Sequence, residues 1–133
     1  MALDFGEKRV GVAMTDPTGS IAQPLETVDR KTAYARIGEL VGEYEVDCIV
    51  VGLPLHMDGR SGPEAQRARA FGDEVARRTG IAVDYLDERW TSREAQRAMG
   101  PSGRSAKRRS VKRTGVDPVA AALLLSTYLE RGK

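Results

Sequence analysis

The pattern of apolar and polar residues predicts short strands in the first 30 residues of the chain. Residues 2–5 and 9–15 are strand-like runs joined by a tight turn through Gly6, and residues 21–28 form a third run. Pro24 lies within the third run, and because proline cannot donate to a sheet ladder, this strand is expected at the edge of the sheet. Three consecutive strands predict an antiparallel meander.

From residue 33 onward the pattern alternates between helices and strands. The run 48–51 is continuously apolar, which is typical of a parallel strand covered on both faces. Pro63 and Gly80 bound a helix, and residues 81–86 form a fifth strand. A helix is also predicted before the run 48–51, because five apolar residues share one helical face: Ala33, Ile37, Leu40, Val41 and Tyr44.

Two further helices are predicted after the fifth strand. A capping box at 91–94 begins the first, and Asp117-Pro118 begins the second, whose apolar run 119–125 should be almost entirely buried. A meander followed by right-handed βαβ crossovers gives an α/β fold. We therefore predict one domain over residues 1–133, with a mixed five-stranded sheet and helices on both of its faces.

The amino-acid composition excludes several classes of protein and of functional site. Its 133 residues are 41% hydrophobic and 30% charged, which is typical of a globular domain. The apolar run 119–125 is far shorter than the roughly 18 residues of a membrane span, and charged residues from Asp4 onward argue against a signal peptide. Cys48 and His56 are each the only residue of their type, which excludes a disulfide within the chain and a metal cluster of several thiolates or histidines. We expect a cytoplasmic protein without membrane contact, whose chemistry depends on carboxylates, lysines or hydroxyls.

The positive charge of the chain is concentrated in one segment. When the six basic residues of the segment 104–113 are left out, 15 of the 21 lysines and arginines remain. Together with the 19 acidic residues of the chain, they give a net charge of −4. A localised contact with a polyanion is therefore predicted, although a solvated loop would have the same composition. The basic residues of this segment are Arg104, Lys107, Arg108, Arg109, Lys112 and Arg113.

Three carboxylates occupy positions that suit a functional site. Asp4 lies inside the first strand, where an ionised carboxylate needs compensation. Glu88 follows the fifth strand, at the edge where open α/β sheets bind ligands, and Asp117 precedes the last helix. Each also has a structural interpretation: Asp4 could bond turn amides or a neighbouring cation, Glu88 could pair with Arg89, and Asp117 could be only an N-cap.

Several segments taken together resemble the YqgF/RuvX family. They are residues 2–13, 21–27, 50–55 with 57–59, 87–89, and the Asp117 helix with Ala120-Ala121. The resemblance covers essentially the whole chain and implies an RNase H-like fold related to RuvC, with strand order 3-2-1-4-5. Members of the family are described as candidate pre-16S rRNA nucleases and as candidate Holliday junction resolvases. The catalytic acids that the resemblance implies fall on Asp4, Glu88 and Asp117.

In that strand order the fourth strand separates Asp4 from Glu88, so their backbones should be about 9–10 Å apart. Two divalent ions about 3.5–4 Å apart could fit between them, and oxygen ligands favour Mg²⁺ or Mn²⁺. His56 and Asp58 are expected in a substrate loop, although His56 stands where the family often has Asn. RuvC-type enzymes carry two acids at the last helix, whereas this chain offers only Asp117.

The partner expected from the resemblance is structured nucleic acid, either a four-way DNA junction or pre-16S rRNA. The amphipathic helices and the low aromatic content of 5% predict a monomer or weak homodimer. Two other hypotheses remain open. One is a non-catalytic nucleic-acid- or ribosome-binding module with structural acids, and the other is a fragment of an actin-hexokinase type ATPase.

Overall fold

The computed structural model describes residues 1–54, 62–88 and 118–131. The strands are β1 (Ala2–Phe5), β2 (Arg9–Thr15), β3 (Ala22–Asp29), β4 (Ile49–Leu53) and β5 (Val83–Asp87). The helices are α1 (Ala33–Glu43), α2 (Pro63–Thr79) and α3 (Pro118–Arg131), and a 3₁₀ turn spans Arg30–Thr32. The capping box at 91–94 lies outside the described residues.

The five strands form one sheet in the order β3-β2-β1-β4-β5. The first three strands are an antiparallel meander, and β4 joins β1, and β5 joins β4, in parallel. The predicted α/β fold and strand order are therefore confirmed. Pro24 lies in the edge strand as expected, and the pairing of β3 with β2 shifts register close to it, between Val12 and Ala13.

Each face of the sheet packs against different helices. Leu3, Val12 and Val51 belong to a core shared with α1 and α2, whereas Ala2 and Val50 pack against α3. Neighbouring residues of a strand point to opposite faces, which explains why adjacent positions enter different cores. Helices thus cover both faces of the sheet. Among the described residues, no helix is long and apolar enough to cross a membrane.

The helix ends follow from local chemistry. Pro63 occupies the first turn of α2, and Gly80 ends that helix in the left-handed conformation at φ 74°, where a side chain would be strained. The prediction for Tyr44 was wrong. Tyr44 caps the end of α1 by donating its backbone N–H to the Leu40 carbonyl, and 43% of its surface is exposed. Of residues 119–125 in α3, four are buried and three are half-buried.

Edge strand β3 is tied to α1 by a charged contact. Arg36 of α1 donates from Nε to Glu26 Oε2 at 2.8 Å and from Nη2 to Glu26 Oε1 at 2.9 Å. Its Nη1 also donates to Glu39 Oε1 at 3.0 Å. The hydrogen bonds from Arg36 hold the pKa of Glu26 below its ordinary value.

Candidate functional site

The fold places Asp4 on the sheet face that α3 covers. Leu3 and Phe5, its neighbours in β1, both contact the core beneath α1 and α2, so the half-buried Asp4 points to the opposite face. In the parallel pairing of β1 with β4, Leu3 lies beside Val51. Continuing this register by one residue brings Asp4 beside Gly52.

The side chain of Glu88 approaches Gly52 from β5, on the other side of β4 from Asp4. It directly follows β5, and its side chain lies across Gly52. A Cβ atom at position 52 would lie 2.7 Å from Glu88 Oε2 and 2.8 Å from Glu88 Cγ, both closer than van der Waals contact permits. The missing side chain of Gly52 therefore makes the space that the Glu88 carboxylate occupies.

The electrostatics of Glu88 include the charge of the neighbouring Asp4 carboxylate. Burial, followed by the negative charges of Asp4 and Asp87, raises the pKa of Glu88 to about 8. Asp4 is the larger of the two charge effects. The structure thus brings Asp4 and Glu88 together in surroundings that oppose a second negative charge. A bound cation would relieve that opposition.

Helix α3 packs on the sheet face that carries Ala2, Ala13 and Val50. Near its end, Tyr128 hydrogen-bonds the Asp84 carboxylate, and its Oη lies 3.6 Å from Cys48 Sγ, next to the start of β4. The last turns of α3 therefore lie near the starts of β4 and β5, on the sheet face to which Asp4 points.

The remaining predicted site residues lie outside the described residues. They are Asp117, the loop residues His56 and Asp58, and the basic segment of Arg104, Lys107, Arg108, Arg109, Lys112 and Arg113. Within residues 1–54, 62–88 and 118–131, no group of three or more metal-ligating side chains is found. The described part of the chain therefore brings together two of the three predicted acids.

The family assignment rests on comparison of the whole chain. A family model described as "RuvX: Holliday junction resolvase" matches residues 1–131. The chain belongs to the RuvX/YqgF family. Among its relatives in this family, a protein of Streptococcus sanguinis named "Putative pre-16S rRNA nuclease" is 42% identical, over 98% of this chain and 96% of its own. A protein of Lachnospira eligens with the same name is 41% identical, over 98% of this chain and 95% of its own.

Solved structures support the fold of this RuvX/YqgF chain. RuvC of Thermus thermophilus superposes with a TM-score of 0.56 at 16% identity, covering 98% of this chain and 94% of that one. The same protein in complex with a Holliday junction gives a TM-score of 0.57 at 14% identity, covering 96% and 90%. At such low identity the likeness shows a RuvC-like, RNase H-like fold.

Sequence reasoning did not assign a role to Gly52, although the family resemblance included it. The available signal was a glycine inside a continuous apolar strand, which weakens a strand unless another group must approach closely. In this RuvX/YqgF chain the approaching group is the side chain of Glu88.

Proposed function

We propose that this protein is a divalent-metal-dependent endonuclease that hydrolyses phosphodiester bonds in structured nucleic acid. The observation that carries the proposal is the convergence of Asp4 and Glu88 beside Gly52, at the carboxyl ends of β1 and β5. Open α/β sheets bind ligands at this edge. Membership of a family whose relatives are named as nucleases supports the same activity.

The residues present fit a hard cation such as Mg²⁺ or Mn²⁺. Both side chains offer carboxylate oxygens, the donors that these ions prefer. Their mutual repulsion in a partly buried site is the electrostatic condition that a cation would compensate. Bound there, divalent ions would supply an activated water and charge stabilisation for phosphodiester hydrolysis.

Asp117 is proposed as the third ligand because it immediately precedes Pro118, the first residue of α3. That helix covers the sheet face to which Asp4 points. In this proposal the three acids hold the cations, and Gly52 keeps Glu88 in position. The basic segment around Lys107 binds the phosphate backbone without selecting sequence.

Two substrate classes follow from the names of the relatives and of the family model. One is a four-way DNA junction, and the other is the 16S rRNA precursor. The deciding experiment offers the protein a synthetic four-way junction and a pre-16S rRNA fragment side by side, with Mn²⁺, with Mg²⁺ and with EDTA. We expect cleavage of at least one substrate with metal and none with EDTA. Binding of both without cleavage would favour the non-catalytic binding module.

Substitutions assign the activity to the site. Asp4→Asn and Glu88→Gln each remove a charge from the cluster and should lower cleavage by about 10²-fold or more while the fold stays intact. Asp47→Asn is the matched control, since Asp47 is exposed and precedes β4 at the opposite end of the sheet. Wild-type cleavage by the Asp4→Asn protein would refute the proposed site.

A further inference from the structure

A pocket opens on the other face of the sheet, at the same strand end as Asp4. It holds about 290 Å³ of free space, which lies near the lower limit for ligand pockets. Its walls come from the end of β1, the 3₁₀ turn, the start of α1 and the first half of α2. The lining residues are Phe5, Arg30, Tyr34, Arg67, Ala70 and Phe71.

Three aromatic rings that pack on one another line this pocket. The rings of Phe5 and Phe71 lie 4.7 Å apart between centroids, and Tyr34 stacks on Phe71 at 5.3 Å. Only 4% of Phe71 is exposed, so the cluster is anchored in the core.

The guanidinium of Arg30 lies over the ring of Phe5. Its guanidinium carbon lies 4.7 Å from the centroid of the Phe5 ring, and Nη1 donates to the Glu7 carbonyl at 2.8 Å. These two contacts fix the position of the guanidinium at the edge of the pocket. Arginine planes and aromatic rings are the surfaces on which proteins stack unpaired bases.

Two arginine side chains bring positive charge to the pocket. Among the described residues, no carboxylate pairs with Arg30 or with the exposed Arg67. By contrast, Arg77 and Arg78 further along α2 both pair with Glu74. Two cations therefore remain available to an anion at the pocket.

The pocket is close to the proposed cleavage site. Phe5 follows Asp4 directly in β1, so their Cα atoms are about 3.8 Å apart while their side chains point to opposite faces. A nucleic-acid strand that reaches Asp4 at this end of the sheet could place a flanking nucleotide across the sheet edge into the pocket.

We propose that this pocket binds one unpaired nucleotide of the nucleic-acid substrate, with its base stacked on the Arg30 guanidinium and its phosphate at Arg67. The inference rests on the proposed function, because it assumes a nucleic-acid substrate. The volume suits a single nucleotide and is too small for a duplex. The site thus selects substrates that expose an unpaired base beside the scissile bond.

Calorimetry in EDTA tests this pocket without cleavage, using uridine 5′-monophosphate, inorganic phosphate and uridine as separate ligands. Since stacking and charge act together, we expect the nucleotide to bind about tenfold or more tightly than phosphate. Arg30→Lys keeps the charge but removes the plane, and should remove about fivefold or more of that preference. Arg67→Gln should weaken the nucleotide and phosphate alike. Arg69→Gln is the matched control, because Arg69 lies on the same helix but over the Tyr85 ring.

The outcomes separate this inference from the proposed function. Equal binding of phosphate and nucleotide, or an unchanged preference in Arg30→Lys, overturns the stacked base. Loss of binding in Arg69→Gln equal to that in Arg67→Gln overturns the placement of the phosphate. Selective nucleotide binding without any cleavage of junction or rRNA supports the pocket while refuting the nuclease. Cleavage of junction or rRNA without selective nucleotide binding supports the nuclease while refuting the pocket.

Discussion

Gly52→Ala tests whether the position of the Glu88 carboxylate matters. The added methyl group would lie 2.7 Å from Glu88 Oε2, whereas ordinary van der Waals contact begins near 3.4 Å. The carboxylate must therefore withdraw by about 0.7 Å or more, because Gly52 lies in a central strand that cannot easily move. Displacements of about 1 Å at a reacting centre can lower rates by about 10²-fold.

The effect on stability should be much smaller. Alanine restricts the unfolded chain more than glycine, which favours folding by about 0.5–1 kcal/mol. Crowding in the filled space opposes this by about 1–3 kcal/mol. We expect a folded protein whose free energy of unfolding changes by about 2 kcal/mol or less.

The assay combines metal-dependent cleavage, thermal unfolding and the rise in melting temperature that Mn²⁺ produces. Gly42→Ala is the matched control, since a Cβ atom at that helical position meets nothing within 4 Å. It should leave cleavage unchanged and stabilise α1 by roughly 0.5–1 kcal/mol. A Gly52→Ala protein that cleaves at the wild-type rate and binds Mn²⁺ equally well would show that the placement of Glu88 is unimportant.

Three further predictions concern the acids and the basic segment. Without metal, folded Glu88 keeps a proton that the unfolded chain releases near pH 4.5, so the free energy of unfolding should fall as pH rises from about 4.5 to about 8. The fall is of the order of 5 kcal/mol, and denaturant titrations of Glu88→Gln should lack it. Asp117→Asn should lose cleavage at a near-wild-type melting temperature, because Asn caps a helix as well as Asp but ligates hard cations poorly; retained cleavage would make Asp117 only a cap. Neutralising Lys107, Arg108 and Arg109 should flatten the dependence of log K on log salt by about 0.9 per lost duplex phosphate contact, and an unchanged slope would contradict backbone binding.

The order of the sheet was predictable because local signals agreed with one another. Pro24 is compatible with an edge strand, and the apolar run around Val50 is compatible with a central one. The tight turn predicted at Gly6 then made an antiparallel meander the simplest connection between the first strands. The closeness of Asp4 and Glu88 followed from that order, since both lie at the ends of strands that flank β4.

Several details of the structure were not predicted, because they depend on contacts between residues that are distant in sequence. Glu88 and Gly52 are 36 positions apart, and only the paired strands bring that side chain over that glycine. The stacking of Arg30 on Phe5 similarly requires the meander to return the chain to the end of β1. Tyr44 has the helical spacing of a core residue but lies just beyond the end of α1, where the face no longer continues.

The contact between Glu26 and Arg36 makes the attachment of β3 sensitive to acid. Because the pKa of Glu26 is lowered in the folded chain, this contribution is present above its unfolded value and is lost as pH falls through the folded one. Strand β3 borders only β2 in the sheet, whereas β1 and β4 have strands on both sides. Acid below the ordinary glutamate pKa of 4.5 therefore loosens the edge before the centre, and backbone amides of β3 should exchange with solvent through local opening while those around Asp4 stay protected until global unfolding.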